Sequence, residues 1–399
     1  MSPATRTKTK TEPVASRSAV EGVARPSGSI AVIGGGQLGR MFIQAAQRMG
    51  YQAGVLSATA ETPAAQVANW TIVGAPDDLP SLRALADRAE AITVEFENLS
   101  APALRWLARR RIVRPGWRTL WVSQNRLREK TFLARHGIPH APWRPVRSDD
   151  ELDAAVRELG LPLILKTSAS GYDGKGQELV ENADDAASAW RRLNRAACVA
   201  ESWVEFAAEI SVVVVRDREG RVAAFPPALN RHENHILSTT MSPAPVGPIV
   251  TREASDAAFA VAQALDAVGV ICIEFFLTAS GRLLVNEIAP RPHNSGHLTI
   301  EAGHSSQFEQ QVRAVCGLPL GRCDLVSPGA MANLLGDLWT DGEPRWAEAL
   351  RADPGVKLHL YGKHTPKPGR KMGHLTVIDP DPQAALARVL AARRALSRR

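Results

Sequence analysis

Cysteine is scarce in this chain and nowhere paired. Its four residues, Cys198, Cys272, Cys316 and Cys323, form no Cys-x-x-Cys spacing. That excludes a disulfide-framed scaffold and offers no zinc site, so the chain reads as a protein of the reducing cytoplasm. Cys272 sits inside an apolar strand pattern and reads as core. No apolar run is long enough to cross a bilayer, so no membrane partner is expected. Residues 1–28 lack the apolar stretch of a secretory signal, and their Ser, Thr, Pro and Lys content reads as a disordered tail. Internal repeats are absent, and so is the GxxxxGK[ST] phosphate loop. The body also lacks a basic surplus. The net charge is +7, but residues 1–28 supply +3 and the end, Arg388 to Arg399, supplies +5. The near-neutral remainder argues against a nucleic-acid partner, and both ends read as solvated.

A length of 399 residues with 45% hydrophobic content implies a globular protein of two or three domains. In residues 29–122 short apolar runs (SIAVIG, QAGVL, AITVEF) alternate with helical patterns, which predicts a parallel, doubly wound sheet. Residues 123–316 read as mixed, with strands LPLILK, CVAESWV and EISVVVV and a helix from Arg252 to Val268. Residues 317–399 read as a smaller unit in which KLHLYGKHTPKPGRKMGHLTVI is strand, basic turn, strand.

The densest chemistry lies between Ile271 and Thr299. Two apolar strand segments flank Ser280-Gly281, and each carries one carboxylate. A two-residue hairpin loop there sets Glu274 directly opposite Glu287, about 5 Å apart on one face. Facing like charges call for a cation, and a hard cation such as Mg2+ brings phosphates with it. Arg291, His293, Asn294, Ser295 and His297 follow at once, so the hairpin reads as a phosphoryl-transfer site.

Two glycine loops point the same way. Gly34-Gly35-Gly36-Gln37-Leu38-Gly39 is a GxGxxG between a strand and a helix, a place for a phosphate at a helix N-terminus. An NAD fold would want an acid about 20 positions on, at the end of the second strand. QAGVL ends at Ser57 and the next acid is Glu61, so a different phosphate ligand is favoured over NAD, with a plain tight turn as the alternative. The second loop, SGYDGKGQ (Ser170 to Gln177), follows a strand ending on Lys166 and suits a flap over a polyphosphate, or else an ordinary surface hairpin. Glu201 to Val204 could offer backbone groups to a flat base, and Glu209 could accept from ribose hydroxyls. His232 and His235 lie in a Pro-flanked polar loop. Arg370 and Lys371 sit on a glycine turn that reads equally as a phosphate clamp or a solvated basic turn.

Taken in order, GGGQLGRM, SGYDGKGQ, NEIAPRPHNSGHLT and PGRKMGHL resemble the ATP-grasp superfamily, and within it the 5-(carboxyamino)imidazole ribonucleotide synthases of purine biosynthesis. These strings span the chain from about Ser29 to Ile378. The resemblance implies a multidomain fold of α/β and α+β parts. A disordered tail (1–28) and a Rossmann-like parallel sheet (29–122) precede an ATP-grasp domain of two subdomains with ATP between them (123–316). A small β-rich C-terminal domain with a basic tail follows (317–399).

It also implies an ATP-dependent C–N ligase that phosphorylates bicarbonate to carboxyphosphate and delivers the carboxyl group to 5-aminoimidazole ribonucleotide, using ATP and Mg2+ (or Mn2+), as a homodimer. Carried onto this chain, ATP falls to Arg126, Lys166, Gly171, Tyr172, Asp173, Gly174, Lys175, Gly176, Gln177, Glu201, Ser202, Trp203, Val204, Glu209, His232, Asn286 and Glu287. Lys130 shares the nucleotide-proximal helix. The metal falls to Glu274 and Glu287. The acceptor falls to Gly36, Gln37, Leu38, Glu95, Tyr172, Asp173, Arg291, Asn294, Ser295, Lys363 and Arg370. Lys166, Arg291, His293 and Asn294 are the implied catalytic residues. Many superfamily members carry Glu-x-Asn at the second metal strand, but here Ala289 follows Glu287 by two. Two glutamates are therefore expected to hold the metal, with Asn286 on the other face of a regular strand. A formate-dependent glycinamide ribonucleotide transformylase, an NAD-dependent oxidoreductase and a non-catalytic nucleotide-binding regulator are the competing readings.

Overall fold

A computed structural model describes residues 24–25, 27–169 and 175–397. Strands β1 (Ser29–Ile33), β2 (Gln52–Ser57), β3 (Trp70–Val73), β4 (Ala91–Val94) and β5 (Ile112–Val113) form a parallel sheet in the order β3-β2-β1-β4-β5. Both faces are covered. Ile30 and Val32 join one cluster with Phe42 and Ile43 of the helix Gln37–Arg48, while Ala31 and Ile33 join another with Leu82, Leu85 and Leu104. Such double burial is what near-continuous apolar strands imply. The first cluster also takes in Phe308, Val312 and Cys316 from the helix Gln307–Cys316, which ties distant chain to this sheet.

Strands β6 (Trp143–Val146), β7 (Leu163–Thr167), β8 (Gln177–Val180) and β9 (Cys198–Ser202) make an antiparallel sheet ordered β6-β9-β7-β8 over a core centred on Trp190. The largest sheet holds β10 (Phe206–Arg216), β11 (Val222–Ala224), β12 (Ala228–Glu233), β13 (Ile236–Ser242), β14 (Gly269–Thr278), β15 (Leu283–Ala289), β16 (Gly329–Leu335), β17 (Lys357–Leu360) and β18 (Lys371–Ile378). Its order is β15-β14-β10-β12-β13-β16-β18-β17, with β11 beside β10. The strands of the third sequence region thus extend the central sheet through β13 and β16 rather than forming a sheet of their own. Among the described residues no helix is long and apolar enough to cross a membrane.

Four expectations change. The hairpin loop is three residues long, because Thr278 N donates to Arg282 O and Gly281 takes a positive φ of 83°. Glu274 nevertheless faces Glu287, because a bulge between Glu274 and Phe275 on the register absorbs the extra residue at Asn286. His232 lies on β12 rather than in a loop, and Asn234 and His235, both at positive φ, make the turn of the β12–β13 hairpin. The predicted tail 1–28 is too long at its end: Ala24 is buried and donates to Cys316 O; residues 1–23 and 26 lie outside the description. The basic end is not simply solvated. The helix Pro382–Ala395 buries Ala385, Val389 and Ala392, and Arg388 pairs with Asp353 and Asp379. All four cysteines are free and buried.

Candidate active site

A cavity of ≈ 1100 Å³ opens where the three sheets meet, lined by the glycine loop, the end of β4, the helix Arg126–Arg135 and strands of both antiparallel sheets. One wall is cationic. Lys166 lies one residue before the end of β7 with its Nζ 3.1 Å from Glu201 Oε2, and Lys130 Nζ lies 3.4 Å from the same oxygen. All three residues are buried. Burial pulls the Lys166 pKa down against the opposing pull of Glu201. It likewise opposes charge on Glu201, yet Lys130 and Lys166 hold that carboxyl at about 2. Two buried ammonium groups share one carboxylate. The surplus positive charge is unfavourable until an anion arrives. Arg126, beside them, donates to Thr167 O at 2.8 Å. Near this wall Trp203 and Phe206 are exposed to the cavity, Phe206 stacks on Phe276 at 4.7 Å, and Glu209 holds His232 Nδ1 at 2.7 Å. Burial disfavours a charged His232, but Glu209 raises its pKa.

The floor is the β14–β15 hairpin. Glu287 is open to the cavity and Glu274 is half-buried. Loss of surrounding water and then the Glu274 charge push the Glu287 pKa up. Burial would raise Glu274 too, but His293, its Nε2 2.8 Å from Glu274 Oε1, holds it at about 2. Burial opposes charge on His293 in turn, while the Cys272 sulfur and Glu274 lift its pKa to about 10. The bulge corrects the expectation for Asn286. Two residues opposing one can present both side chains to a single face, and Asn286 lines the cavity with its Oδ1 3.5 Å from Lys166 Nζ.

The far wall belongs to the glycine loop and the polar run. Glu95 reaches into the loop from the end of β4 and accepts from the amides of Gly36 and Leu38, the latter at 3.1 Å. A Cβ on Gly36 would lie 2.1 Å from Glu95 Oε1, so glycine is required there for contact with a carboxylate. Burial raises the Glu95 pKa, and the loop amides oppose it. These amides therefore hold a protein carboxylate, which differs from the phosphate cradle read from the motif. Arg291 Nε donates to Glu97 Oε2 at 2.8 Å. Burial works against both charges, yet the pairing lowers the Glu97 pKa and raises that of Arg291.

This layout can be set beside known proteins. The family model of the ATP-grasp domain matches residues 131–308, that of the ribonucleotide synthetase preATP-grasp domain residues 28–124, and that of the phosphoribosylaminoimidazole carboxylase C-terminal domain residues 329–388. The N5-carboxyaminoimidazole ribonucleotide synthase of Bacillus subtilis (strain 168) is 44% identical over 355 residues, 88% of this chain and 91% of the relative. The chain belongs to the N5-carboxyaminoimidazole ribonucleotide synthase family. A solved ADP complex of an N5-carboxyaminoimidazole ribonucleotide synthetase superposes with a TM-score of 0.87 at 39% identity, covering 93% of this chain and 97% of that one. An Aspergillus clavatus N5-carboxyaminoimidazole synthase, solved with ADP and 5-aminoimidazole ribonucleotide, gives 0.86 at 31%, covering 93% and 99%.

Within the synthase cavity the fold brings together most of the residues the sequence singled out. Gly36, Gln37, Leu38, Glu95, Arg126, Lys166, Gln177, Glu201 to Val204, Glu209, His232, Glu274, Asn286, Glu287, Arg291, His293 and Asn294 all line it. Gly171, Tyr172, Asp173 and Gly174 lie outside the described residues, while Lys175 and Gly176 are described but not part of the lining. Ser295 is buried behind His293, bonding its Nδ1 at 2.8 Å. Lys363 and Arg370 are also not in the lining: Lys363 Nζ donates to Lys371 O and Arg370 to Thr365 O, and Lys371 lines the cavity instead. Sequence reasoning missed Glu97, the Phe206–Phe276 stack and Glu129, which lines the cavity and accepts from Ile288 N at 3.0 Å. Glu97 had a signal, since Glu95 and Glu97 alternate just past the carboxyl end of a parallel strand, where such sheets bind ligands.

Proposed function

We propose that this chain carboxylates the exocyclic amine of 5-aminoimidazole ribonucleotide with bicarbonate and ATP, releasing ADP and phosphate. The observation that carries the reading is a single cavity with a surplus of buried cations at one wall and Arg291, His293 and Glu95 at the other. The first fits a nucleoside triphosphate, the second a small anion and a ribonucleotide. The names and ligands of the family relatives support the same pairing.

Lys166 and Arg126 would draw the β- and γ-phosphates. Arg291, fixed by Glu97, would hold bicarbonate as its oxygen attacks the γ-phosphorus and the bond to ADP breaks. The product, carboxyphosphate, is a mixed anhydride. The exocyclic amine then attacks its carbonyl carbon, the C–O bond to phosphate breaks, and the departing phosphate takes the amine proton. His293, whose Nε2 lies 2.8 Å from Glu274 Oε1, is placed to stabilise negative charge, and the proton is left to phosphate.

The hairpin suits a hard divalent cation. Glu274 and Glu287 face each other, Glu287 is open to the cavity, and burial followed by the Glu274 charge raises its pKa. Among the described residues no group of three or more His, Cys, Asp or Glu could hold a metal, so these two would hold Mg2+ with phosphate and water oxygens. The ion would neutralise charge developing between the β- and γ-phosphates.

The test is ADP release measured with each substrate omitted in turn. Full rate should need both bicarbonate and 5-aminoimidazole ribonucleotide, and Glu287→Gln should lower it by orders of magnitude in a folded protein. ADP release driven by formate and glycinamide ribonucleotide would instead assign the chain to the transformylases.

A further inference from the structure

Lys130 has no place in the chemistry above, yet it sits at the junction of the cavity's two halves. It projects from the helix Arg126–Arg135 and is 1% exposed. Its Nζ donates to the carbonyl of Asn286 on β15 at 3.1 Å and lies 3.4 Å from Glu201 Oε2 on β9. Lys166 touches the same two residues by other atoms, Glu201 Oε2 at 3.1 Å and Asn286 Oδ1 at 3.5 Å. The four residues thus close a ring that joins the four-stranded sheet to the nine-stranded one. The two lysines are not equivalent. Lys166 is the more exposed to the cavity, whereas Lys130 is also held by the backbone carbonyl of Asn286 on the edge strand β15.

A lysine that turns its N–H donors to phosphate weakens its pull on a carboxylate beside it. If Lys166 were the sole partner of Glu201, its departure would strand a buried carboxylate, which is costly. We propose that Lys130 is a positioning residue, the standing counterion of Glu201, and that it frees Lys166 to turn to the phosphates of ATP. The inference rests on the reading of this cavity as an ATP site. Lys130 acts through Lys166 rather than on the nucleotide.

The experiment uses calorimetric ATP binding and steady-state ADP release on the full chain. In Lys130→Met, Lys166 stays locked on Glu201. ATP affinity and kcat/KM for ATP should fall at least tenfold, while the KM for the ribonucleotide stays within twofold. Adding Glu201→Gln should release Lys166 and restore most of the lost ATP affinity. A merely structural role gives no such recovery, because a second buried change then adds damage. Lys130→Arg, which keeps the charge, should bind ATP within about threefold of wild type. Equal ATP affinity in wild type and Lys130→Met overturns the inference, and so does a double variant no better than Lys130→Met. If Lys130→Met does not fold, the double variant and Lys130→Arg decide: ATP binding more than tenfold weakened in both refutes it. Failure of wild type itself to bind ATP would sink the ATP reading instead, so the two failures are distinct.

Discussion

Glu97→Gln is the sharpest test of the proposed bicarbonate site at Arg291. Arg291 is held by Glu97 through one good hydrogen bond, Nε to Oε2 at 2.8 Å, and one long one, Nη2 to Oε1 at 3.5 Å. A hydrogen bond to a charged group contributes roughly 1.5–3 kcal/mol. The two side chains are 22% and 28% exposed, so water competes in part and the lower half of that range applies, about 2 kcal/mol. Glutamine keeps the shape and one acceptor but loses the charge, which leaves the guanidinium free to swing. If Arg291 must be in place only when bicarbonate is attacked, about 2 kcal/mol appears as a loss of about 30-fold in kcat/KM for bicarbonate. The assay is ADP release against bicarbonate at saturating ATP and 5-aminoimidazole ribonucleotide, with ATP binding measured separately by calorimetry. ATP affinity should stay within twofold. A bicarbonate kcat/KM within threefold of wild type would refute the reasoning, and an equal loss in ATP affinity would move Arg291 to the nucleotide.

Two further outcomes follow from other walls of the cavity. Glu201 has its pKa held at about 2, below the ordinary carboxylate value, so its contribution to stability is present above about pH 4.5 and is lost as pH falls toward 2. Urea unfolding of wild type and Glu201→Gln should therefore differ by on the order of 3 kcal/mol at pH 6 and converge by pH 2; a gap that does not narrow counts against the ion pairing. Gly36→Ala puts a Cβ 2.1 Å from Glu95 Oε1, so it should expel Glu95 and raise the KM for the ribonucleotide at least tenfold with little change for ATP; an unchanged KM would remove the loop from the acceptor site.

The parallel sheet was legible because its central strands β1, β2 and β4 are almost wholly buried and are punctuated by helical periodicity. The opposed glutamates were legible for a less secure reason: the loop is one residue longer than a two-residue turn, and the bulge at Asn286 shifts the register back by one. Two compensating irregularities leave no trace in a period-2 pattern. The glycine loop shows another limit. Its pattern forecasts an anion at its amides, and an anion is there, but it comes from Glu95, 59 residues beyond Gly36. Local spacing reports what a loop can bind and not which part of the chain supplies it. The ring of Lys130, Lys166, Glu201 and Asn286 spans up to 156 residues, so no sequence window contains it. The C-terminal helix was read by charge when its apolar positions, Ala385, Val389 and Ala392, set its packing.

Ala289 and the bulge explain each other. In a regular strand the residue two past Glu287 shares its face, and many ATP-grasp members place Asn there. Here Ala289 pairs with Cys272 and is buried at the cavity floor, so it offers no oxygen. The polar side chain appears instead one position before Glu287, and the bulge is what turns it inward. Its amide is not idle: Oδ1 faces Lys166 Nζ and the backbone carbonyl takes Lys130. Asn286 is thereby committed to the lysine ring, and the carboxylates of Glu274 and Glu287 remain the protein oxygens that face each other across the ladder. The bulge thus puts on adjacent residues the proposed cation ligand, Glu287, and a contact of the proposed phosphate-binding Lys166, Asn286. A one-residue deletion at position 286 would leave a regular ladder with Glu274 still opposite Glu287 and Phe275 still opposite Val285, so it should weaken ATP binding through the lost Asn286 amide while the carboxylate pair stays in place; loss of the pair's register would refute this account of the bulge.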